Sequence, residues 1–206
     1  MAAIGIIDYQ MGNLASLINS VEKIGFQAEV IRDPDALKRF EKLILPGVGA
    51  FGDAADHLKE SGLDEAIKAH VAAGKWLFGI CLGMQMLFKS SEESSGKTGL
   101  ALLPGSVKRF DPARAAHPIK IPHMGWNRLN LHHHSPLFNG TPEGERLYFV
   151  HAYHAECDAA QTIASCFYGY EFAAAVQHDN LLGLQPHPEK SHTAGLKILK
   201  NFAELK

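Results

Sequence analysis

Lys75-Trp76-Leu77-Phe78-Gly79-Ile80-Cys81-Leu82-Gly83-Met84-Gln85 is the stretch on which the fold turns. Trp76 to Ile80 is an apolar run of strand length, and Cys81 follows at once between Gly79 and Gly83. From Leu82 the pattern becomes helical, with Leu82, Met86 and Leu87 on one side. The reading is strand, sharp turn, helix: a Gly-x-nucleophile-x-Gly elbow with cysteine at its tip. Gly79 and Gly83 omit two Cβ atoms where strand and helix crowd together. A thiolate at a helix N-terminus is stabilised by unpaired N–H groups, and the same groups can hold an oxyanion. Taken alone, the stretch also suits a small buried cysteine at a strand–helix junction.

Upstream, the same alternation recurs. Ile4 to Ile7 is a fully apolar strand ending in the turn Asp8-Tyr9-Gln10-Met11-Gly12-Asn13, with Asn13 placed to cap a helix. Leu14, Leu17, Ile18, Val21 and Ile24 recur at helical spacing until Gly25. Ala28 to Ile31 and Leu43 to Leu45 read as strands separated by a short helix opened by Asp33-Pro34. Two helices split near Ser61-Gly62 precede the elbow strand. This βαβαβαβα order predicts an α/β fold, a mostly parallel sheet flanked by helices, with its active site beyond the carboxyl ends of the strands. Asp8, Pro46 and Cys81 all fall at such ends.

Downstream the texture changes. Ser90 to Thr98 is polar and reads as an exposed loop. Strands are expected over 105–110, 125–131, 146–150, 163–168 and 172–177, the last forming a hairpin through Asp179-Asn180 with 181–184. The second half therefore adds antiparallel strands, and Ala194 to Leu205 closes as a helix. With 206 residues, 46% hydrophobic and 20% charged, and no linker, one domain over 1–206 is expected. A net charge of −2 with scattered basic residues predicts no nucleic-acid or anionic-membrane binding. The three cysteines have no framework spacing, no charged segment leads into a long apolar run, and no stretch is long enough to span a bilayer. The chain reads as cytoplasmic.

Two further stretches bear on chemistry. Leu184-Gln185-Pro186-His187-Pro188-Glu189-Lys190-Ser191 places His187 and Glu189 two apart after a strand. In extended backbone they would point the same way, so that the carboxylate orients the imidazole that activates the thiol. Pro46-Gly47-Val48-Gly49 also follows a strand, and its backbone N–H groups suit the second half of an oxyanion hole; an ordinary β–α turn would look the same. His132-His133-His134 reads as a solvated turn, because consecutive histidines cannot all face one ion and no partner ligands have suitable spacing, so no metal is expected. Cys157 and Cys166 lack a neighbouring His-x-Glu and read as inert.

Gly79-Ile80-Cys81-Leu82-Gly83-Met84-Gln85 together with His187-Pro188-Glu189 resembles the triad-type, class I glutamine amidotransferases. Pro46-Gly47-Val48-Gly49-Ala50-Phe51-Gly52, Pro122-His123-Met124-Gly125-Trp126-Asn127 and Tyr148-Phe149-Val150-His151-Ala152-Tyr153 are similar to one branch, the glutaminase subunits of imidazole glycerol phosphate synthases in histidine biosynthesis. The resemblance runs from Asp8 to Ser191 and implies a flavodoxin-like sheet and a Cys81–His187–Glu189 triad that needs no cofactor. It implies an oxyanion hole from Gly47, Val48, Gly49 and Leu82, and a glutamine pocket bounded by Gln85, His151, Ala152 and Tyr153. It further implies a (β/α)8-barrel cyclase partner meeting Asn13, Met124, Trp126, Tyr148 and Lys190, although core packing would equally place Met124 and Trp126. Other readings stay open: a triad glutaminase serving another synthase such as the pyridoxal phosphate one, a cysteine hydrolase or peptidase on a similar sheet, or a binding module without catalysis. Two positions depart from the family pattern. Gln10 stands where glycine is usual, so it would be strained if its φ is positive. Pro186 stands where an aromatic is usual, and without an N–H it requires strand pairing to have ended there or to lie on an edge.

Overall fold

The computed structural model describes residues 3–206; Met1 and Ala2, at the head of the segment read as lacking a leader, lie outside them. In chain order the first half runs β1 (Ile4–Ile7), α1 (Leu14–Lys23), β2 (Ala28–Ile31), a 3-10 turn (Pro34–Arg39), β3 (Lys42–Leu45), α2 (Phe51–Glu60), α3 (Leu63–Ala72), β4 (Trp76–Ile80) and α4 (Leu82–Gln85). Strands β2, β1, β3 and β4 lie side by side in parallel, as the alternation predicts. Asn13 Oδ1 accepts from Ser16 N at 3.5 Å and caps α1, and Gly25, at φ 89°, ends it. Gln10 sits at φ 66°, so the strain expected at this position is present, and its N–H donates to Asp8 Oδ1 at 3.0 Å.

The helix after Cys81 is shorter than its pattern suggests. It lasts one turn, because the carbonyls of Met86 and Leu87 accept from Leu100, Leu102 and Leu103 instead of from a continuing helix. The loop 90–98 is likewise less exposed than its polarity implied. Ser91 is buried, and Glu93 Oε2 and Ser94 Oγ accept from Phe51 N (2.7 Å) and Gly52 N (3.0 Å). Ala50 has no side-chain oxygen, so the loop supplies the N-terminal cap of α2.

The second half contributes β5 (Ser106–Arg109), β6 (His123–Arg128), β7 (Asn130–Leu131), β8 (Arg146–His151), β9 (Tyr153–Glu156), β10 (Thr162–Tyr168), β11 (Tyr170–His178), β12 (Leu181–Leu184) and α5 (His192–Ala203). The main sheet has the order β2-β1-β3-β4-β12-β11-β10-β7, with β9 pairing β11 and β5 pairing β9. Strand β12 returns parallel to β4, while β11, β10 and β7 continue antiparallel. The single strand expected over 125–131 is two: β6 pairs β8 in a separate ribbon, and β7 joins the main sheet. Leu129, fully buried, breaks them by exchanging backbone bonds with the Gly144-Glu145 turn. Pairing beyond β12 ends with Gln185 N donating to Ala174 O at 2.8 Å, so Pro186 lacks an N–H where none is needed.

Helices α1 and α5 cover one face of the parallel sheet and α2 and α3 the other, giving two apolar clusters. Between the ribbon and β11 lies a buried aromatic group: Phe110, His123, Phe149, His151, His154 and Phe172. Its hydrogen bonds fix the tautomers of two histidines. His151 Nδ1 donates to Tyr153 O (2.7 Å), so its Nε2 accepts from His123 Nδ1 (3.1 Å), and His123 Nε2 accepts from Asn127 Nδ2 (3.4 Å). Burial holds His123 down to about 4, and pushes His151, His154 and His70 below the ordinary histidine range.

Below pH ~6.5 the unfolded chain therefore takes up protons that these four histidines refuse in the fold, and stability falls as pH falls. His187 moves the opposite way and is protonated in both states there, so it adds no slope in this window. We expect loss of up to about 1.4 kcal/mol per pH unit for each histidine as pH falls below ~6.5, ending where that histidine protonates in the fold, about 4 for His123. Urea unfolding at pH 6.0 and pH 5.0, both below the range in which His187 contributes, measures this, and an unchanged or increased stability at pH 5.0 contradicts it.

Candidate active site

Cys81 follows β4 and carries φ 55° and ψ −110°, a conformation that L-residues rarely adopt. The glycines beside it explain why the chain must turn so sharply. A Cβ on Gly79 would lie 2.6 Å from Gly83 O, and one on Gly83 would overlap the carbonyl oxygen of Leu45. Strand β4 and the turn of α4 thus pack backbone to backbone against the end of β3. Leu82 N donates to Gly47 O (3.3 Å), and the buried Tyr9 hydroxyl donates to Pro46 O (2.7 Å). The ends of β1, β3 and β4 are tied together around the thiol.

His187 and Glu189 meet by a different route from the one their spacing suggests. His187 is extended, but Pro188–Lys190 form a 3-10 turn that folds Glu189 back onto the ring. Glu189 Oε1 lies 2.8 Å from His187 Nδ1, and both side chains are almost wholly buried. The backbone is held from two sides: His187 N donates to Tyr148 O (2.9 Å), and Ser191 Oγ donates to His187 O (2.6 Å). Among the described residues nothing makes a well-aligned hydrogen bond to His187 Nε2. Burial alone would lower the pKa of His187. The negative charge of Cys81 beside it and the Glu189 carboxylate outweigh burial and raise it. The arrangement is a thiol, an imidazole poised to carry its proton, and a carboxylate that fixes the imidazole.

A cleft of about 330 Å³ opens over the thiol, lined by Val48, Gly49, Cys81, Leu82, Gln85, Glu93, Pro122, Val150, His151, Ala152 and Tyr153. Gln85, His151, Ala152 and Tyr153, expected around a glutamine pocket, all line it, as do Val48, Gly49 and Leu82 of the expected oxyanion hole, but not Gly47. Gly47 lies on the far side of Val48, in a crevice of about 20 Å³ that reaches Asn13, His187, Glu189 and Lys190. Gly49 sits at φ 111° and Val48 is exposed, and both line the cleft. Glu93 was not singled out from sequence. It stands in the polar loop, and its place comes from capping α2, so only the loop's acidic Glu92-Glu93 pair signalled it.

Met124 and Trp126 are 63% and 43% exposed, which removes core packing as their explanation. They alternate along β6 with His123 and Asn127, which face the aromatic group, and they share the outer face of the ribbon with Tyr148. Trp126 stacks on His192 (5.0 Å between centroids), and Lys190 Nζ lies 5.9 Å from the Tyr148 ring centre. Asn13 is exposed near the same edge. His132, His133 and His134 are exposed in a turn, and among the described residues no group of three or more His, Cys, Asp or Glu is arranged to hold a metal ion. Burial pushes the Cys166 thiol up to about 12 and raises that of Cys157, consistent with both being inert. No helix is long and apolar enough to cross a membrane among the described residues.

Comparison with known proteins agrees with this geometry. The family model "Glutamine amidotransferase class-I" matches residues 5–205. The chain is 56% identical over 202 residues to the imidazole glycerol phosphate synthase subunit HisH of Sulfurimonas denitrificans, covering 98% of this chain and 97% of that one. It is 48% identical to the subunit of the same name from Wolinella succinogenes, with 98% and 99% covered. Among solved structures, that of PurLQS from Thermotoga maritima superposes with a TM-score of 0.77 at 23% identity, covering 98% of each chain, a likeness of fold. The chain belongs to the class I glutamine amidotransferases, in the branch of the imidazole glycerol phosphate synthase HisH subunits.

Proposed function

We propose that this chain hydrolyses glutamine and passes the ammonia to a cyclase subunit that makes imidazole glycerol phosphate and an aminoimidazole carboxamide ribotide. The observation that carries the reading is Cys81, held at a strained elbow on the wall of the cleft, beside a histidine fixed by Glu189. Cys81 Sγ, its proton already resting on His187 Nε2, attacks the side-chain amide carbon of glutamine. Backbone N–H groups along Gly47-Val48-Gly49 receive the oxyanion, joined by that of Leu82 once it gives up its bond to Gly47 O. His187 then protonates the departing nitrogen, which leaves as ammonia. Water attacks the thioester and gives a proton to His187, and glutamate is released as the thiolate beside the protonated His187 is restored. The chemistry needs no metal or cofactor.

The polar ends of the cleft suit the amino-acid end of glutamine. Gln85 Nε2 already donates to Tyr153 O (3.0 Å) and Gln185 Oε1 (3.1 Å), so its own oxygen is the end left to accept. With the Glu93 carboxylate it matches an α-ammonium group. On the outer side, the apolar ribbon face of Met124, Trp126 and Tyr148, with Asn13 and Lys190 at its edge, is the docking surface for a (β/α)8-barrel partner. Val48 lines both the cleft and the crevice toward that edge, so ammonia bound for the partner would pass this residue. The whole reads as one domain working in the cytoplasm.

Three measurements test this. Cys81→Ala is expected to abolish glutamine hydrolysis, by at least about a thousandfold, while synthesis from added ammonia by the complex continues; glutamine turnover near wild type would sink the assignment. Glu93→Gln keeps an oxygen to cap Phe51 N but removes the charge, so KM for glutamine should rise about tenfold or more with kcat less affected. Trp126→Ala should weaken binding to the cyclase subunit by about tenfold or more in calorimetric titration, with the melting temperature of the free chain little changed; undiminished affinity rejects the surface.

A further inference from the structure

We propose that Gln185 donates a hydrogen bond directly to the reacting sulfur and keeps Cys81 ionised and aimed into the cleft. The proposal rests on the reading of Cys81 as the nucleophile. Gln185 is fully buried at the end of β12, where Leu184 O accepts from Cys81 N at 2.8 Å. Residues 81 and 185 are therefore neighbours across the last rung of the ladder. The side-chain amide of Gln185 reaches Sγ with its nitrogen at 3.7 Å, a length suited to the large sulfur atom.

The orientation of that amide is decided by a backbone group. Tyr153 O accepts from Gln85 at 3.0 Å, so the end of Gln85 turned inward must be its nitrogen. The same nitrogen lies 3.1 Å from the Gln185 side chain, which must answer with its oxygen. Only the nitrogen of Gln185 then remains to face the sulfur. Among the described residues Sγ is its one hydrogen-bond acceptor. A neutral thiol accepts poorly, and a buried N–H without a good acceptor is costly. The amide is well satisfied only when the sulfur is ionised, so the clamp from Tyr153 through Gln85 and Gln185 favours the thiolate. His187 approaches the same sulfur from the loop after β12 and Tyr9 from the turn after β1, both titratable, with Glu93 elsewhere on the cleft wall.

The test is the pH dependence of alkylation of the purified full chain by iodoacetamide, followed by mass spectrometry of the peptide that holds Cys81. This readout needs neither glutamine nor a partner, so it fails or succeeds separately from the proposed activity. Gln185→Met keeps the shape and removes the donor. It should move the midpoint for Cys81 up by about one pH unit and lower kcat/KM in the complex about tenfold, with KM for glutamine little changed. A wild-type midpoint in a folded Gln185→Met chain overturns the proposal and leaves Gln185 a packing residue. If that variant does not fold, Gln85→Met decides: it frees the Gln185 amide to turn, so a raised midpoint supports the clamp and an unchanged one rejects it.

Discussion

The close approach of Gly83 to the carbonyl of Leu45 is the constraint on which the rest of the site depends. It leaves no room for a side chain between α4 and the ends of β3 and β4, and it makes the chain reverse within one residue. Cys81 takes the backbone strain of that reversal. Once the turn is fixed, Leu82 N meets Gly47 O and brings the Gly47-Val48-Gly49 segment alongside the thiol. Tyr9 locks Pro46 from below. Parallel strands that end at one level supply the thiol, the imidazole loop and the Gly47-Val48-Gly49 segment from β4, β12 and β3 respectively.

The antiparallel half works as a wall whose two sides are in register. His123 opposes His151 across the ribbon, and Trp126 opposes Tyr148. The inward face carries a chain of hydrogen bonds from Asn127 through His123 and His151 to Tyr153 O, the same carbonyl that holds Gln85. The outward face carries the exposed Met124 and Trp126. One short ribbon is thus shared between the floor of the cleft and the surface proposed to meet a partner.

Much of this was legible in the sequence, for identifiable reasons. Buried parallel strands are short apolar runs, and Pro46, Gly25 and the Gly74-Lys75 step punctuate them clearly. Strand β9 was not legible, because Tyr153-His154-Ala155-Glu156 has no clean alternation and owes its extended form to pairing with β5 and β11. The two-way split at Leu129 depends on the distant Gly144-Glu145 turn. The pairing of His187 with Glu189 was foreseen, but its agent is a 3-10 turn and not an extended segment. Glu93 was hidden because its position is set by a helix end 42 residues away. Gln185 reads in sequence only as the residue before Pro186, and its meaning appears when Gln85 and Tyr153 are seen beside it.

The backbone at Cys81 has a further consequence. A conformation with φ 55° and ψ −110° costs an L-residue roughly 1–3 kcal/mol, and glycine escapes most of that. Read as a folding problem alone, position 81 asks for glycine. A breeder selecting only for heat resistance would discard the sulfur early, and the survivors would be sturdier and inert. Sequence drift at this codon therefore runs downhill in folding energy and uphill in chemistry, so the cysteine persists only under continuous demand for the reaction.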